Sequence, residues 1–327
     1  RIVRLSIWPG EFHVAHTKAE ARTMEQALRS FAQGGLEKAL SEFKKSLRLA
    51  RAASSNARER WVLGWLGYTY LRLGRREKAI EHLEASLASA CNVRDLELST
   101  SALSLLDELY YKLYRDTDRC FDFYKRTLVI ARDMKASLWE TKALVDIGKI
   151  LLKNGDIQKA IEHLEQALKV VHENSLLQNE ATVLTELGKA YIKMQDLNTA
   201  IKVLESAKAS TVHVNNPKVE TQTKINLLKE LTGVYSDLMD FQAVIANGES
   251  GLSLAEEKGN PGDIAAFSHY LAYANYQQYC NGNKVSGQKA LEYIERAIEL
   301  FTKLGSPNVR PSRRLKDILL LSVDELP

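Results

Sequence analysis

Cysteine is scarce in this 327-residue chain: Cys91, Cys120 and Cys280 are all it has. They are far apart, odd in number and form no C-x-x-C pair. That argues against a disulfide framework or a zinc knuckle, and it predicts a reducing, cytoplasmic setting. Proline is rare at six residues and glycine stops at 17, which leaves little room for irregular or disordered stretches. An excess of one charge is missing too. Lys and Arg number 45 against 41 Asp and Glu, a formal net charge of +4. That is too mild to argue for nucleic acid or a membrane surface on its own. No apolar run approaches the roughly 18–20 residues that cross a bilayer. Arg1-Ile2-Val3-Arg4 is too short and too charged to start a signal peptide. The first residue is not Met, so the sequence reads as a segment of something longer.

What is present is one helix-turn-helix signature at a near-constant interval. A small residue opens each second helix at Ala39, Ala79, Cys120, Ala160, Ala200, Val244 and Ala290, in steps of 40, 41, 40, 40, 44 and 46 residues. A period of this size means stacked supersecondary units rather than a globule around one cleft. Turns between paired helices are marked by Gly34-Gly35, Gly74-Arg75, Arg115-Asp116, Asn154-Gly155-Asp156, Gln195-Asp196 and Met239-Asp240. Gly or Asn ends a helix in the left-handed conformation and Asp favours the start of the next. Residues 1–16 fall outside the repeat. Ile2, Val3, Leu5 and Ile7, closed by Trp8-Pro9-Gly10, are either a cap on the first unit or a tether to an upstream domain. The array proper spans 17–304. In the last unit the turn Cys280 to Gly287 reads about five residues longer than the others. Residues 305–327 hold a final amphipathic segment, Ser312 to Glu325, with Leu315, Ile318 and Leu319 on one face, suited to covering the end of the array.

Catalytic signatures are thin. Gly282-Asn283-Lys284-Val285-Ser286-Gly287-Gln288-Lys289 is one residue off the phosphate-loop pattern, but it follows a helix and lacks the closing Ser or Thr, so a plain flexible turn is expected. His13 and His16, with Glu20 a turn later, outline a partial metal site, yet histidines so near a free end are usually just solvated. His82 and His163 share the string Ile-Glu-His-Leu-Glu at one repeat position, which is duplication and not a split active site. With no G-x-S-x-G, H-E-x-x-H or paired-carboxylate motif, the chain reads as non-enzymatic, without cofactor or metal.

Three units fix the nature of the repeat. Leu63, Leu66, Gly67, Tyr70, Gly74, Ala79, Leu83 and Ser86 recur as Leu144, Ile147, Gly148, Gly155, Ala160, Leu164 and Ala167, and as Leu184, Leu187, Gly188, Tyr191, Ala200, Leu204 and Ala207. The third unit is looser, with Leu103, Leu106, Asp107 and Tyr110. The sixth has Thr232 where the glycine stands elsewhere. This pattern resembles the tetratricopeptide repeat over roughly residues 20–304, in a long variant of about 40 residues. The resemblance implies an all-α solenoid of about seven helix-turn-helix repeats in a right-handed superhelix, with a C-terminal capping helix. In such arrays the glycines and the Ala79, Ala160 and Ala200 positions let the two helices of a unit cross closely.

The resemblance also implies a binding face. The first helices would line a concave groove through set positions. Unit two then presents Trp61, Trp65, Tyr68 and Arg72, and unit three Ser101, Ser104, Glu108, Tyr111 and Lys112. Unit four presents Lys142, Asp146, Lys149 and Lys153, and unit five Thr182, Glu186, Lys189 and Lys193. Unit six adds Asn226, Lys229, Glu230 and Asp237. Exposed aromatics would anchor a partner; the competing reading is that Trp61 and Trp65 pack against Met24, Leu28 and Phe31 of unit one. The lysines, with Asp146 and Glu186 as nearby acids, favour an acidic ligand over a solvated face. The expected function is a scaffold holding an acidic peptide or helix with an apolar anchor. The alternative is the regulatory or sensor array of a larger NTPase, enzyme or transcription regulator. Interspersed acids weigh against nucleic acid as the partner.

Overall fold

The computed structural model describes residues 18–114, 118–214 and 216–323. The readings of Ile2 to Gly10, of His13 and His16, and of the Arg115-Asp116 turn lie outside these residues. Among the described residues there are fifteen α-helices, one short 3-10 turn and no strand. The helices come as consecutive antiparallel pairs. They are α1 (Lys18–Ala32) with α2 (Leu36–Ala52), α3 (Asn56–Arg72) with α4 (Arg76–Asn92), and α5 (Leu96–Tyr114) with α6 (Asp118–Asp133). Then follow α7 (Ser137–Asn154) with α8 (Ile157–Glu173), α9 (Leu177–Lys193) with α10 (Leu197–Ser210), α11 (Pro217–Asp237) with α12 (Phe241–Lys258), α13 (Pro261–Cys280) with α14 (Lys284–Lys303), and the unpaired α15 (Val309–Val323). The fold is an all-α solenoid. Packing gathers it into two compact units, Arg1–Ala143 and Leu144–Pro327.

The turns follow from backbone geometry. Gly34, Gly74 and Gly155 hold φ between 72° and 89°, and Gln195 and Met239 take the same left-handed state at 65° and 60° without being glycine. At the links between pairs Ser54, Arg94, Lys135 and Ser175 do likewise, at 51–54°. One left-handed residue therefore breaks the helix at each of these places, and the hydrogen bonds around it close the turn whatever its side chain. After it, Asp196 and Asp240 cap α10 and α12 by accepting from the amides of Thr199 and Ala243.

Inside each pair, small residues set the approach. Gly67 lies under Leu83, Gly148 under Leu164 and Gly188 under Leu204, and an added Cβ would sit 2.5–2.9 Å from those side chains. Unit three solves the same crossing with different chemistry. Asp107 stands in the glycine position and Tyr124 in the leucine position, and the Tyr124 hydroxyl donates to Asp107 Oδ1 at 2.7 Å. Asp107 Oδ2 also meets Lys142 Nζ at 3.3 Å.

The last pair differs from the sequence expectation. The turn between α13 and α14 is Asn281 to Asn283 only; the segment from Lys284 to Lys289 is the first part of α14. Gly287 is buried there beneath the Tyr279 ring, where a Cβ would meet Cδ2 at 2.9 Å. The extra residues lengthen both helices to 20 residues, so the loop was never long. In α15 the buried stripe is Ser312, Leu315 and Leu319, with Leu315 and Leu319 against Ala272, Ala290 and Ile294. Ile318 is 48% exposed and does not belong to that stripe. At 100° per residue it lies beside the Leu315–Leu319 row, not on it.

Candidate interaction faces

In unit 1 the aromatic side chains of α3 are packing residues. Trp65 is only 4% exposed, stacked on Phe43 at 5.7 Å and set edge-on to Phe31 at 5.5 Å. Tyr68 is 7% exposed with its ring 5.1 Å from Phe31. Trp61 is half-buried, and the Arg72 guanidinium lies over the Phe31 ring at 5.7 Å. The expected exposed aromatic anchor is thus corrected at Trp65 and Tyr68: flat, wide rings at these positions reach α1 and fill the space between the first helices of neighbouring pairs. The competing reading, packing against unit one, describes them.

The lysines have internal partners. Lys112 Nζ bonds Glu108 at 2.5 Å, and Lys142 pairs with Asp107 as above. In unit 2, Lys149 bonds Asp146 at 3.1 Å and Lys189 bonds Glu186 at 2.9 Å. Lys229 bonds Asp263 at 2.8 Å. Lys193 reaches across to a backbone group instead: it donates to the carbonyl of Leu152 at 2.7 Å and so caps the end of α7. Lys153 is exposed, and Asn226 Oδ1 accepts from Gln222. The acids near this strip are more numerous than Asp146 and Glu186. Glu230 lies 4.0 Å from Lys189, and Asp263 holds Lys229.

Two of these acids sit in unlike surroundings. Asp263 is well satisfied, with Asn260 Nδ2 donating to its second oxygen at 2.6 Å. Glu230 is half-buried, and desolvation pushes its carboxyl above the ordinary range against the pull of Lys189 and Lys229. Beside it, Tyr270 of α13 lies over Gly233 of α11, its hydroxyl 3.2 Å from where a Cβ would be. Burial, then the Glu230 and Asp237 charges, push that phenol up. Tyr270 escaped the sequence reading because the 44- and 46-residue steps blur the register of unit seven. The signal available was the run Tyr270, Tyr273 and Tyr276, spaced at helical intervals.

The remaining candidates are structural. His82 and His163 each place Nδ1 2.8 Å from a backbone carbonyl four residues earlier, Lys78 and Lys159. Among the described residues no three His, Cys, Asp or Glu side chains gather as a metal site, and no helix is long and apolar enough to cross a membrane.

Family models decide what the array is. A tetratricopeptide repeat model matches residues 116–210 and a second matches 62–90. The chain carries tetratricopeptide repeats. Solved tetratricopeptide structures share its fold. One is the signal transduction ATPase with numerous domains from Pyrococcus horikoshii, which carries a tetratricopeptide repeat sensor. It is 17% identical with a TM-score of 0.64, over 92% of this chain and 44% of that one. Another is a tetratricopeptide repeat protein from Parabacteroides merdae, 13% identical with a TM-score of 0.52, over 93% of this chain and all of the other. Among curated proteins, outer dynein arm-docking complex subunit 4 of Danio rerio is 25% identical over 146 residues. That match takes in 42% of this chain and 27% of the fish protein. The chain thus spans less than half the length of the Pyrococcus protein, and its matched part about a quarter of the fish protein. A tetratricopeptide array is a protein-interaction scaffold.

Proposed function

We propose that this array binds an extended or helical protein segment along the face built from its first helices, and that it performs no chemistry of its own. The observation that carries the reading is the make-up of that face in unit 2. Lys149, Lys153, Lys189, Lys193, Asn226 and Lys229 sit there on α7, α9 and α11 beside Asp146, Glu186, Glu230 and Asp263. These are charged and polar side chains, from exposed Lys149, Lys153 and Lys193 to half-buried Glu230, on a rigid helical support, the usual material of a recognition surface. Arg72, Lys112 and Lys142 extend the same reading to unit 1. The partner is then of mixed charge rather than simply acidic, since each ion pair offers both signs. Free thiols at Cys91, Cys120 and Cys280 favour a reducing, cytoplasmic compartment.

A photo-crosslinking residue at position 189 tests the face, with one at Lys169, 74% exposed on α8, as the contrast. The expected result is a partner adduct from position 189 and none from 169, lost in the Lys149→Glu, Lys153→Glu double variant. Adducts from position 169 alone would move the binding surface to the second helices. The sensor-array alternative draws on the Pyrococcus protein, whose repeats are a sensor within a larger chain. It predicts an ATPase or regulatory domain in the same gene, and reading that gene in full decides it.

A further inference from the structure

On the first-helix face of unit 2, three adjacent helices leave one set of polar groups without adequate partners. Lys189 is the nearest cation to Glu230, at 4.0 Å, but it is already bonded to Glu186 at 2.9 Å. Lys229, one residue before Glu230, turns instead to Asp263 at 2.8 Å. Glu230 accepts no hydrogen bond among the described residues, and neither does the Tyr270 hydroxyl make one. Gly233, one turn after Glu230, lets the Tyr270 hydroxyl lie close to the α11 backbone; an added Cβ would stand 3.2 Å from it and crowd it. Asp237, exposed one turn further on, adds negative potential to the phenol. Each of the two cations is hydrogen-bonded to another acid, so Glu230 keeps only the 4.0 Å ion pair with Lys189, and Asp237 has no ion pair among the described residues.

We infer that Glu230, Asp237 and the Tyr270 hydroxyl lying over Gly233 form a recess for a cationic side chain, an arginine or lysine, of the partner segment. A guanidinium offers five N–H donors in a plane. Two of them bonding Glu230 and a third reaching the Tyr270 oxygen would satisfy both groups at once. A carboxylate in the same place would meet Glu230 and Asp237 and be repelled. The inference rests on the first-helix face being the binding face, and it fixes which end of a mixed-charge partner lies over α11 and α13. The raised carboxyl of Glu230 agrees with it, because a half-desolvated acid lacking a partner is what an incoming cation would relieve. The groups that act on Glu230 are Glu186 and Lys189 from α9, Lys229 from its own helix and Tyr270 from α13, while Asp237 acts on Tyr270 and Asp263 holds Lys229. Burial raises the Glu230 carboxyl, so binding should weaken as pH falls through its range.

The test uses the full chain and two fluorescein-labelled probes, a Gly-Ser peptide with three arginines and its glutamate counterpart, read by anisotropy at low and at about 0.15 M salt. The arginine peptide should bind and the glutamate peptide should not. Glu230→Gln should weaken binding about tenfold and Tyr270→Phe about threefold, the scale of charge-assisted and ordinary hydrogen bonds. Glu257→Gln, an exposed acid of α12, should change nothing, and melting of Glu230→Gln shows that the fold is kept. Equal loss in Glu230→Gln and Glu257→Gln, or tighter binding of the glutamate peptide, would overturn the recess. A partner that crosslinks at position 189 yet ignores Glu230→Gln and Tyr270→Phe defeats the recess and leaves the binding face standing. Arginine-peptide binding that needs Glu230 while the crosslink fails supports the recess and defeats the wider reading.

Discussion

At Gly188 an added Cβ would stand 2.5 Å from Leu204 Cδ2 and 2.6 Å from its Cγ. No real Cβ tolerates such contacts, so Leu204, fully buried, must move into a core already filled by Leu184, Leu227 and Leu231. Gly188→Ala should therefore cost about 1–3 kcal/mol by overpacking. Adding Leu204→Ala should not compound that cost fully, because the smaller side chain makes room; the double-mutant cycle measured by urea unfolding checks this coupling. Simple additivity would mean that α9 and α10 do not meet where the glycine suggests. The Asp107–Tyr124 pair shows how the crossing is solved otherwise, with a hydrogen bond filling the space that a glycine–leucine contact closes. The sequence pattern displayed Asp107 as a departure from the repeat. It did not display the partner, because Tyr124 lies 17 residues away on a helix where only a small residue and a leucine are anticipated.

Between helices, one charged clamp and one terminal helix stand out. Arg126 of α6 donates to both oxygens of Glu84 on α4, at 2.9 and 2.8 Å, and Tyr110 of α5 donates to Glu84 at 2.6 Å. The Arg126 hydrogen bond, despite the opposing effect of burial, holds the Glu84 carboxyl below the ordinary range, and burial with the Glu84 hydrogen bond pushes Tyr110 up to about 12. A carboxylate depressed in the folded state gives stability that is present above its unfolded value of about 4.5 and lost as pH falls through the lowered value. Glu84→Gln should then lower the melting temperature at neutral pH and lose that disadvantage in strong acid; an unchanged gap at both pH values would sink the assignment. At the other end, α15 was legible as an amphipathic cover, though Ile318 was set on the wrong side of it. Truncation after Pro307 uncovers Ala272, Ala290 and Ile294. Aggregation by light scattering should rise, since an end unit with a bare apolar face lacks the polar cap that keeps repeat arrays soluble. A truncated chain as monodisperse as the parent would show that α15 covers nothing essential.

Across the molecule, the period carried nearly all of the architecture and little of the recognition surface. Gly67, Gly148 and Gly188 with their leucines recur because their three crossings are built alike, so the pairs could be counted from the sequence. Trp65 and Tyr68 proved to be packing residues, and Lys193 took an unforeseen contact, because a position that faces outward in one repeat can reach a neighbouring helix when its side chain is large or long. Trp65 finds Phe43, and Lys193 finds the Leu152 carbonyl 41 residues earlier. Periodicity reports direction, not reach. The same linear construction makes a further claim about stability. In a stack of pairs each helix contacts mainly its chain neighbours, so a local insult propagates through nearest-neighbour interfaces and fades. Gly188→Ala, placed in unit 2, should speed amide hydrogen exchange in α9, α10 and α11, whose packing shares Leu204 and Leu231. Amides of α3 and α4 in unit 1, held by Gly67 under Leu83, should keep their protection. Exchange accelerated equally in α3 and α9 would instead mean that the array opens as a single cooperative unit, and nearest-neighbour coupling could not describe it.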